Sequence, residues 1–541
     1  MINSRICRLA AGALALAAWA WAAAPAAAEP AAAAWGDWPR WGAQPDGTYV
    51  NPVLPADYSD LDCIGVGPDY YAISSTFQFS PGVVILHSRD LVNWTIAGHA
   101  VADLTQIGPE LNWDRMNRYG KGIWAGAIRF HAGRFWIYFG TPDEGYFMTS
   151  APAIAGPWAP LHPVLRAAGW DDCCPFWDDD GQGYLIGSNF RDGYKIHLWK
   201  LTADGRDLVP ESDRVIHQSK GSEANKLYKF GGWYYHFFSE VRPEGRVILM
   251  ERAASIGGPY REVRQLKAAD REALEPNQGG FVAGPDGRWY FFTHHGRGAW
   301  EGRAASLLPV TWKDGWPMVG ALGPDGLGHM VWSGKLPLAG LSPQAPQTSD
   351  EFSGPELSPQ WEWNHQPRAG WWSLAERPGW LRLRAFRPVA PGGLLQAGDT
   401  LTQRSYRTIA NIVLIKLDLS GMADGQLAGL AHFSKNFAAL TVRQDGAVRT
   451  LVYESAAGVT PGPPLSGPIL WLRSVWGWDG KSQFSYSVDG RSFVDFGPPY
   501  PLAWGYYRGD RVGLLSYNPK ADQGFVDIDY FHCGYRPGYD P

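Results

Sequence analysis

Amphipathic helical periodicity is missing from this chain after its first thirty residues, which points away from folds built on helices. Cysteine is scarce, five among 541 residues, and the four beyond residue 7 show neither CxxC spacing nor a nearby His pair, which argues against a tetrahedral zinc site. Basic runs are absent as well. With 48 Lys and Arg against 53 Asp and Glu, the chain carries a net charge of −5, and no Arg-rich stripe offers a footing for nucleic acid. The single long apolar run, Leu9 to Trp21, follows Arg5 and Arg8 and leads to Ala26-Ala27-Ala28, which reads as a secretion signal over residues 1–28. It is too short to span a bilayer comfortably, so a cleaved, exported protein is expected, periplasmic or extracellular, without a membrane partner. Its removal takes away two basic residues and Cys7, leaving a net charge of −7 and Cys63, Cys173, Cys174 and Cys533 where disulfides can form. A bridge from Cys63 to the Cys173-Cys174 pair and a set of free buried thiols are both open.

Aromatics, turns and repeats are plentiful. Aromatic residues make up 14% of the chain, with 28 Trp, and 65 Gly and 42 Pro supply the turns, a composition that suits an all-β protein. The length implies two or more domains. Between residues 69 and 317 an aromatic hairpin recurs five times, opening at Asp69-Tyr70-Tyr71, Gly133-Arg134-Phe135-Trp136, Gly181-Gln182-Gly183-Tyr184, Gly231-Gly232-Trp233-Tyr234-Tyr235 and Gly287-Arg288-Trp289-Tyr290. Repeats of roughly 50–60 residues, each about four short strands, describe a five-bladed β-propeller, placed here over residues 35–340. Stepping back about ten to twelve residues from each opening aromatic reaches Asp60, Ala125, Asp172, Glu223 and Gly279. If the strand before each hairpin is innermost, three carboxylates gather at the channel mouth, an arrangement that is costly unless it acts on something.

Residues 341–349, LSPQAPQTS, read as a linker, and a second domain is expected over 350–537. Apolar or alternating strands at Trp361-Glu362-Trp363, Trp371-Trp372, Leu381 to Arg384, Ile412 to Ile415, Ala438 to Val442, Phe484 to Ser487 and Val526 to Tyr530 suit a β-sandwich. No acid triplet recurs there. A lid or wall on the propeller mouth is its expected contribution, with a carbohydrate-binding module as the alternative. Asp178-Asp179-Asp180-Gly181 lacks the ligand spacing of a Ca²⁺ loop and reads as a hairpin turn. Asp143 and Glu144 are candidates for the pocket rim.

Several stretches carry a resemblance. The run Asn51 to Asp60, then Asp69 to Phe77, HSRDLVNW at His87, GIWA at Gly122, PFWDDDG at Pro175, EANKLYK at Glu223, GGPY at Gly257, NQGG at Asn277 and LLPVTWKDGWP at Leu307 resemble, in number and order, glycoside hydrolase family 43. DEFSGPELSPQWEWNHQP, from Asp350, is similar to the concanavalin-A-like sandwich that follows the propeller in the family's β-xylosidase and arabinofuranosidase members. Where prolines are usual in the family, Ser59 and Leu61 flank Asp60, Gly126 follows Ala125 and Cys173 follows Asp172.

The resemblance implies inverting hydrolysis of a bond to L-arabinofuranose or D-xylose in plant cell-wall saccharides. Asp60 takes the place of the general base, Glu223 of the general acid, and Asp172 of the acid that orients and tunes the donor. Inversion needs a water between sugar and base, hence carboxyls ~6.5–9.5 Å apart, and burial beside Asp172 is expected to raise the acid's pKa. Phe77, Trp124 and Phe176 are candidate sugar-stacking walls, and Gln278 a ligand hydrogen-bonder. His294 and Arg303 resemble the family's axial His and the Arg near the acids. No cofactor is required on this reading, although a structural Ca²⁺ in the channel beside His294 is a candidate. Two alternatives stay open from the residues, a non-catalytic pentose-binding propeller and a retaining five-bladed enzyme of fructosidase type.

Overall fold

The computed structural model describes residues 41–536 apart from 272, 275, 276, 298, 391 and 392, so the secretion signal expected over 1–28 lies outside the described residues. Among the described residues no helix is long and apolar enough to cross a membrane.

Short strands with aromatic hairpins fold into five consecutive antiparallel sheets of four strands each. The first strands of the blades are Asp62–Val66, Gly126–His131, Trp170–Trp177, Glu223–Phe230 and Gly279–Ala283. These pack on one another around the axis, blade one beside two and five, and blade three beside two and four. Left-handed glycines such as Gly181 (φ 84°) and Gly287 (φ 77°) make the tight turn after the first strand that most other residues would enter only with strain.

The recurring aromatics seam the ring. Tyr71 packs edge-on against Phe135 between blades one and two (5.3 Å), His131 stacks on Trp177 between two and three (4.6 Å), and Phe176 meets Tyr234 between three and four (6.3 Å). Phe230 meets Trp289 between four and five (5.4 Å), and Trp94 stacks on Phe292 between five and one (4.5 Å). Each such pair adds about 0.5–1.5 kcal/mol beyond the area it buries. Among the described residues, no blade draws strands from both ends of the propeller segment. Closure comes instead from Thr48–Val50 pairing with Ser333–Lys335, and from the buried Asn51 amide, which donates to the carbonyls of Leu307 (2.8 Å) and Val331 (2.7 Å). Inside the ring, Arg129 is held by Asp62 at 2.7 Å.

The C-terminal part forms two packed antiparallel sheets. One sheet does not stop at its own domain. Its edge pairing runs through Trp363 and Asn364 onto Phe79–Ser80, two residues of an excursion between the second and third strands of blade one. The joint is charged as well as apolar. Buried Glu362 receives Arg404 (3.0 Å) and Arg511 (2.7 Å), Arg404 Nε donates to the Asp57 carbonyl (2.7 Å), and the Arg511 guanidinium lies 3.7 Å from the Phe79 ring centroid. Burial opposes ionisation of Glu362, but the two guanidiniums outweigh it and hold its carboxyl well below the usual range.

Candidate active site

The chain leaves the ordinary strand conformation where the inner strands reach the mouth. Asp60, Asp172 and Ala224 all have left-handed backbone (φ 55°, 53° and 66°), which strains non-glycine residues by about 1–3 kcal/mol each. In blade three the register slips by one residue between Asp171, opposite Ser188, and Cys174; blade four repeats the slip between Glu223, opposite Ser239, and Lys226. These bulges re-aim side chains that regular alternation would send to opposite faces. They also correct the counting of the sequence. Asp172 corresponds to Ala224, so the counterpart of Glu223 in blade three is Asp171, one residue earlier than spacing indicates.

The result is a cavity of about 360 Å³, within the usual range for small-ligand sites, lined by Asp60, Asp172 and Glu223 together with Asp171. Asp60 is fixed from three sides. Arg303 Nη1 reaches its Oδ1 at 2.7 Å, Ser75 donates to Oδ2 at 2.7 Å, and the Asp60 backbone N–H donates to His294 Nδ1 at 2.7 Å. Asp172 is 2% exposed and accepts the Gln278 amide. Burial raises its carboxyl above the usual range, opposed by the Ala224 N–H and the Lys226 ammonium. Burial, then the adjacent Asp172 charge, pushes Asp171 up well beyond that range. Glu223 is the more open acid, its side chain 29% exposed and its Oε1 held by Arg246 at 3.1 Å. The burial expected at the proton donor therefore falls chiefly on the neighbouring pair.

Phe77 and Trp124 line the cavity as expected; Gln278 and Arg303 do so as well. Trp124 is steadied by its indole N–H, which donates to the Gly120 carbonyl at 3.0 Å. Phe176 is a correction: it does not line the cavity but sits in the seam against Tyr234, because four residues beyond Asp172 the strand has run away from the mouth. His294, fully buried beneath Asp60, is the axial histidine. Its partner His295 turns the other way toward Ser306 (2.9 Å). With Nδ1 accepting from Asp60, the His294 proton resides on Nε2, which donates to Asn277 Oδ1 at 3.2 Å. Both ring nitrogens being engaged, His294 does not fit as a direct Ca²⁺ ligand. Among the described residues no group of three or more His, Cys, Asp or Glu is arranged to hold a metal. Asp143 and Glu144 do not line the cavity and pair instead with Lys121 (2.7 Å) and Arg118 (2.9 Å). Cys63, Cys173, Cys174 and Cys533 are all buried, and none of the four is bridged to another.

Sequence spacing did not reach Arg246, Asn277, Ser188, Phe190, Tyr194 or Tyr507. Tyr507 comes from the sandwich, is 60% exposed, and stands edge-on to Trp124 at 5.8 Å. The adjacent Arg508 is buried behind the wall, 3.2 Å from Asp57 and 4.9 Å from the Phe77 ring centroid. The second domain thus does supply a wall.

The profile of Glycosyl hydrolases family 43 matches residues 49–317, and that of the Beta xylosidase C-terminal Concanavalin A-like domain matches 349–533. A β-xylosidase of Formosa agariphila is 35% identical over 92% of this chain and 92% of its own length. A non-reducing end alpha-L-arabinofuranosidase of Bacteroides ovatus is 29% identical over 62% of this chain and 65% of its own. Among solved structures, a bifunctional GH43-CE protein of Bacteroides eggerthii superposes with a TM-score of 0.81 at 30% identity, over 92% of this chain, which spans only 64% of that protein. A GH43 enzyme engineered to display both endo-xylanase and exo-arabinofuranosidase activity gives a TM-score of 0.80 at 27% identity, covering 90% of this chain and 99% of its own. A five-bladed ring with its acids at the mouth, the sandwich docked against it and this extent of likeness lead to one conclusion: the chain belongs to glycosyl hydrolase family 43.

Proposed function

We propose that this glycosidase releases D-xylose or L-arabinofuranose from the non-reducing ends of xylan-type or arabinan-type saccharides with inversion, in an exported form of the chain. Asp60 is the general base. Held as a carboxylate acceptor by Arg303 and Ser75, it takes a proton from the water that attacks the anomeric carbon. Glu223 is the general acid that protonates the leaving oxygen, with Arg246 fixing its direction. Asp172, kept in place by Gln278, orients the donor and sets the field in which it titrates.

The observation that carries this reading is the convergence of Asp60, Asp172 and Glu223 on one cavity walled by Phe77, Trp124 and Tyr507. A pocket walled on one side by Tyr507 of the second domain favours attack at chain ends over attack within a chain. The name of the Formosa relative favours xylose as the first substrate to try. The test is turnover of 4-nitrophenyl β-D-xylopyranoside and 4-nitrophenyl α-L-arabinofuranoside, with the product followed by proton NMR. Inversion gives α-xylose or β-arabinofuranose first. Retention of the anomer, or no turnover of either glycoside, would overturn the assignment.

A further inference from the structure

Asp171 has no part in the mechanism above, yet it lines the same cavity. Its position is built rather than incidental. The bulge that follows it gives Asp171 the strand position that Glu223 occupies in blade four, each opposite a serine and each followed by a left-handed residue. Its main chain is pinned by the Tyr146 hydroxyl, which donates to the Asp171 carbonyl at 2.8 Å. Gly140 of blade two presses on it so closely that an added Cβ would lie 2.9 Å from Asp171 Cα and 3.0 Å from Oδ1. That side-chain oxygen is sealed from solvent and has no hydrogen-bond partner among the described residues.

We propose that Asp171 contacts the bound sugar and selects substrates by hydrogen bonding one of its ring hydroxyls. The proposal rests on the glycosidase reading and deepens it. Two adjacent carboxyls in a buried site do not both ionise readily, and their partners decide which keeps the proton. Asp172 is favoured as the anion by the Gln278 amide, the Ala224 N–H and Lys226. Asp171 has only the Asp172 N–H in its support, and burial together with the charges of Asp172, Asp60 and Glu223 outweighs it, so the proton stays with Asp171. With Oδ1 sealed as the carbonyl oxygen, the O–H is left for the cavity, where it donates to a hydroxyl oxygen. A buried polar group left unpaired is costly, which is how such a site discriminates against a sugar lacking the matching hydroxyl.

The experiment compares kcat/KM of wild type, Asp171→Asn and Asp171→Ala on the parent nitrophenyl glycoside and on its monodeoxy analogues. Asp171→Asn keeps shape and a donor and is expected to stay within about three-fold of wild type, while Asp171→Ala loses roughly ten-fold on the parent, mainly in KM. On one deoxy analogue the difference between wild type and Asp171→Ala disappears, and that analogue names the hydroxyl. An equal loss on every analogue, no loss on the parent, or a fall in kcat with a displaced pH profile would each overturn the proposal. Wild-type turnover reports on the glycosidase reading separately; without it both fall.

Discussion

Replacing Glu223 by Gln separates proton donation from every other task of that side chain. The amide keeps the length and shape of the carboxyl, and it remains within reach of Arg246, which holds Oε1 at 3.1 Å in a side chain 29% exposed. A partly exposed ion pair of this kind is worth about 0–1 kcal/mol, so its loss accounts for less than a ten-fold change. Removing a general acid lowers the rate by about 10²–10⁴, equivalent to roughly 3–5 kcal/mol at 1.36 kcal/mol per decade. The larger effect identifies itself by its dependence on the leaving group. On an alkyl or sugar leaving group the full loss is expected, whereas a dinitrophenyl glycoside, whose phenolate departs unaided, should recover most of the wild-type rate. Measured kcat across leaving groups of graded pKa gives a steeper slope for Glu223→Gln than for wild type, and Arg246→Met serves as the control that removes the ion pair, with the Arg246 bonds to Gly221 and Ser239, while leaving the acid in place. A uniform loss across the series would refute the assignment of Glu223 as acid.

Gln278→Leu removes the amide that supports the Asp172 carboxylate, so the Asp172 pKa, already raised by burial, rises further. If Asp172 must be ionised for turnover, the acidic limb of the rate profile moves to higher pH, and an unmoved limb would detach Asp172 from the donor. Glu362→Gln strips the charge facing Arg404 and Arg511 and should cost about 3–5 kcal/mol in denaturant unfolding. Because the folded-state pKa of Glu362 is depressed, its contribution is complete above the ordinary glutamate value and fades as pH falls through the folded value. Wild type and the variant should therefore converge in stability only in strong acid.

The five blades were readable because hairpin turns and seam aromatics are local demands that each repeat meets in the same place. Tyr71, Trp177, Tyr234 and Trp289, all in or beside the hairpins, proved to be seam residues. The acids were readable for the same reason, but only to within one residue. A bulge changes which of two neighbours corresponds without changing the count along the chain, and that hid Asp171 behind Asp172. Phe176 was misplaced by its nearness in sequence to Asp172, since four residues along a strand carry a side chain ~13 Å from the mouth. Tyr507 and Arg246 left no local signal. Their places in the cavity are fixed by the docking of the sandwich and by a third-strand residue reaching across to Gly221 (2.8 Å).

The excursion at Phe79–Ser80 has a practical bearing on anyone who would cut or graft this chain. The natural-looking scissor point is the stretch around residue 345, yet the true border between the halves runs inside blade one, where a propeller loop serves as the outermost ribbon of the other half. A truncated catalytic half would carry that ribbon with nothing to lie against, and an isolated sandwich would bare the main chain of Trp363 and Asn364. Chimeras that exchange C-terminal halves among relatives should therefore move residues 75–81 together with the half they complete.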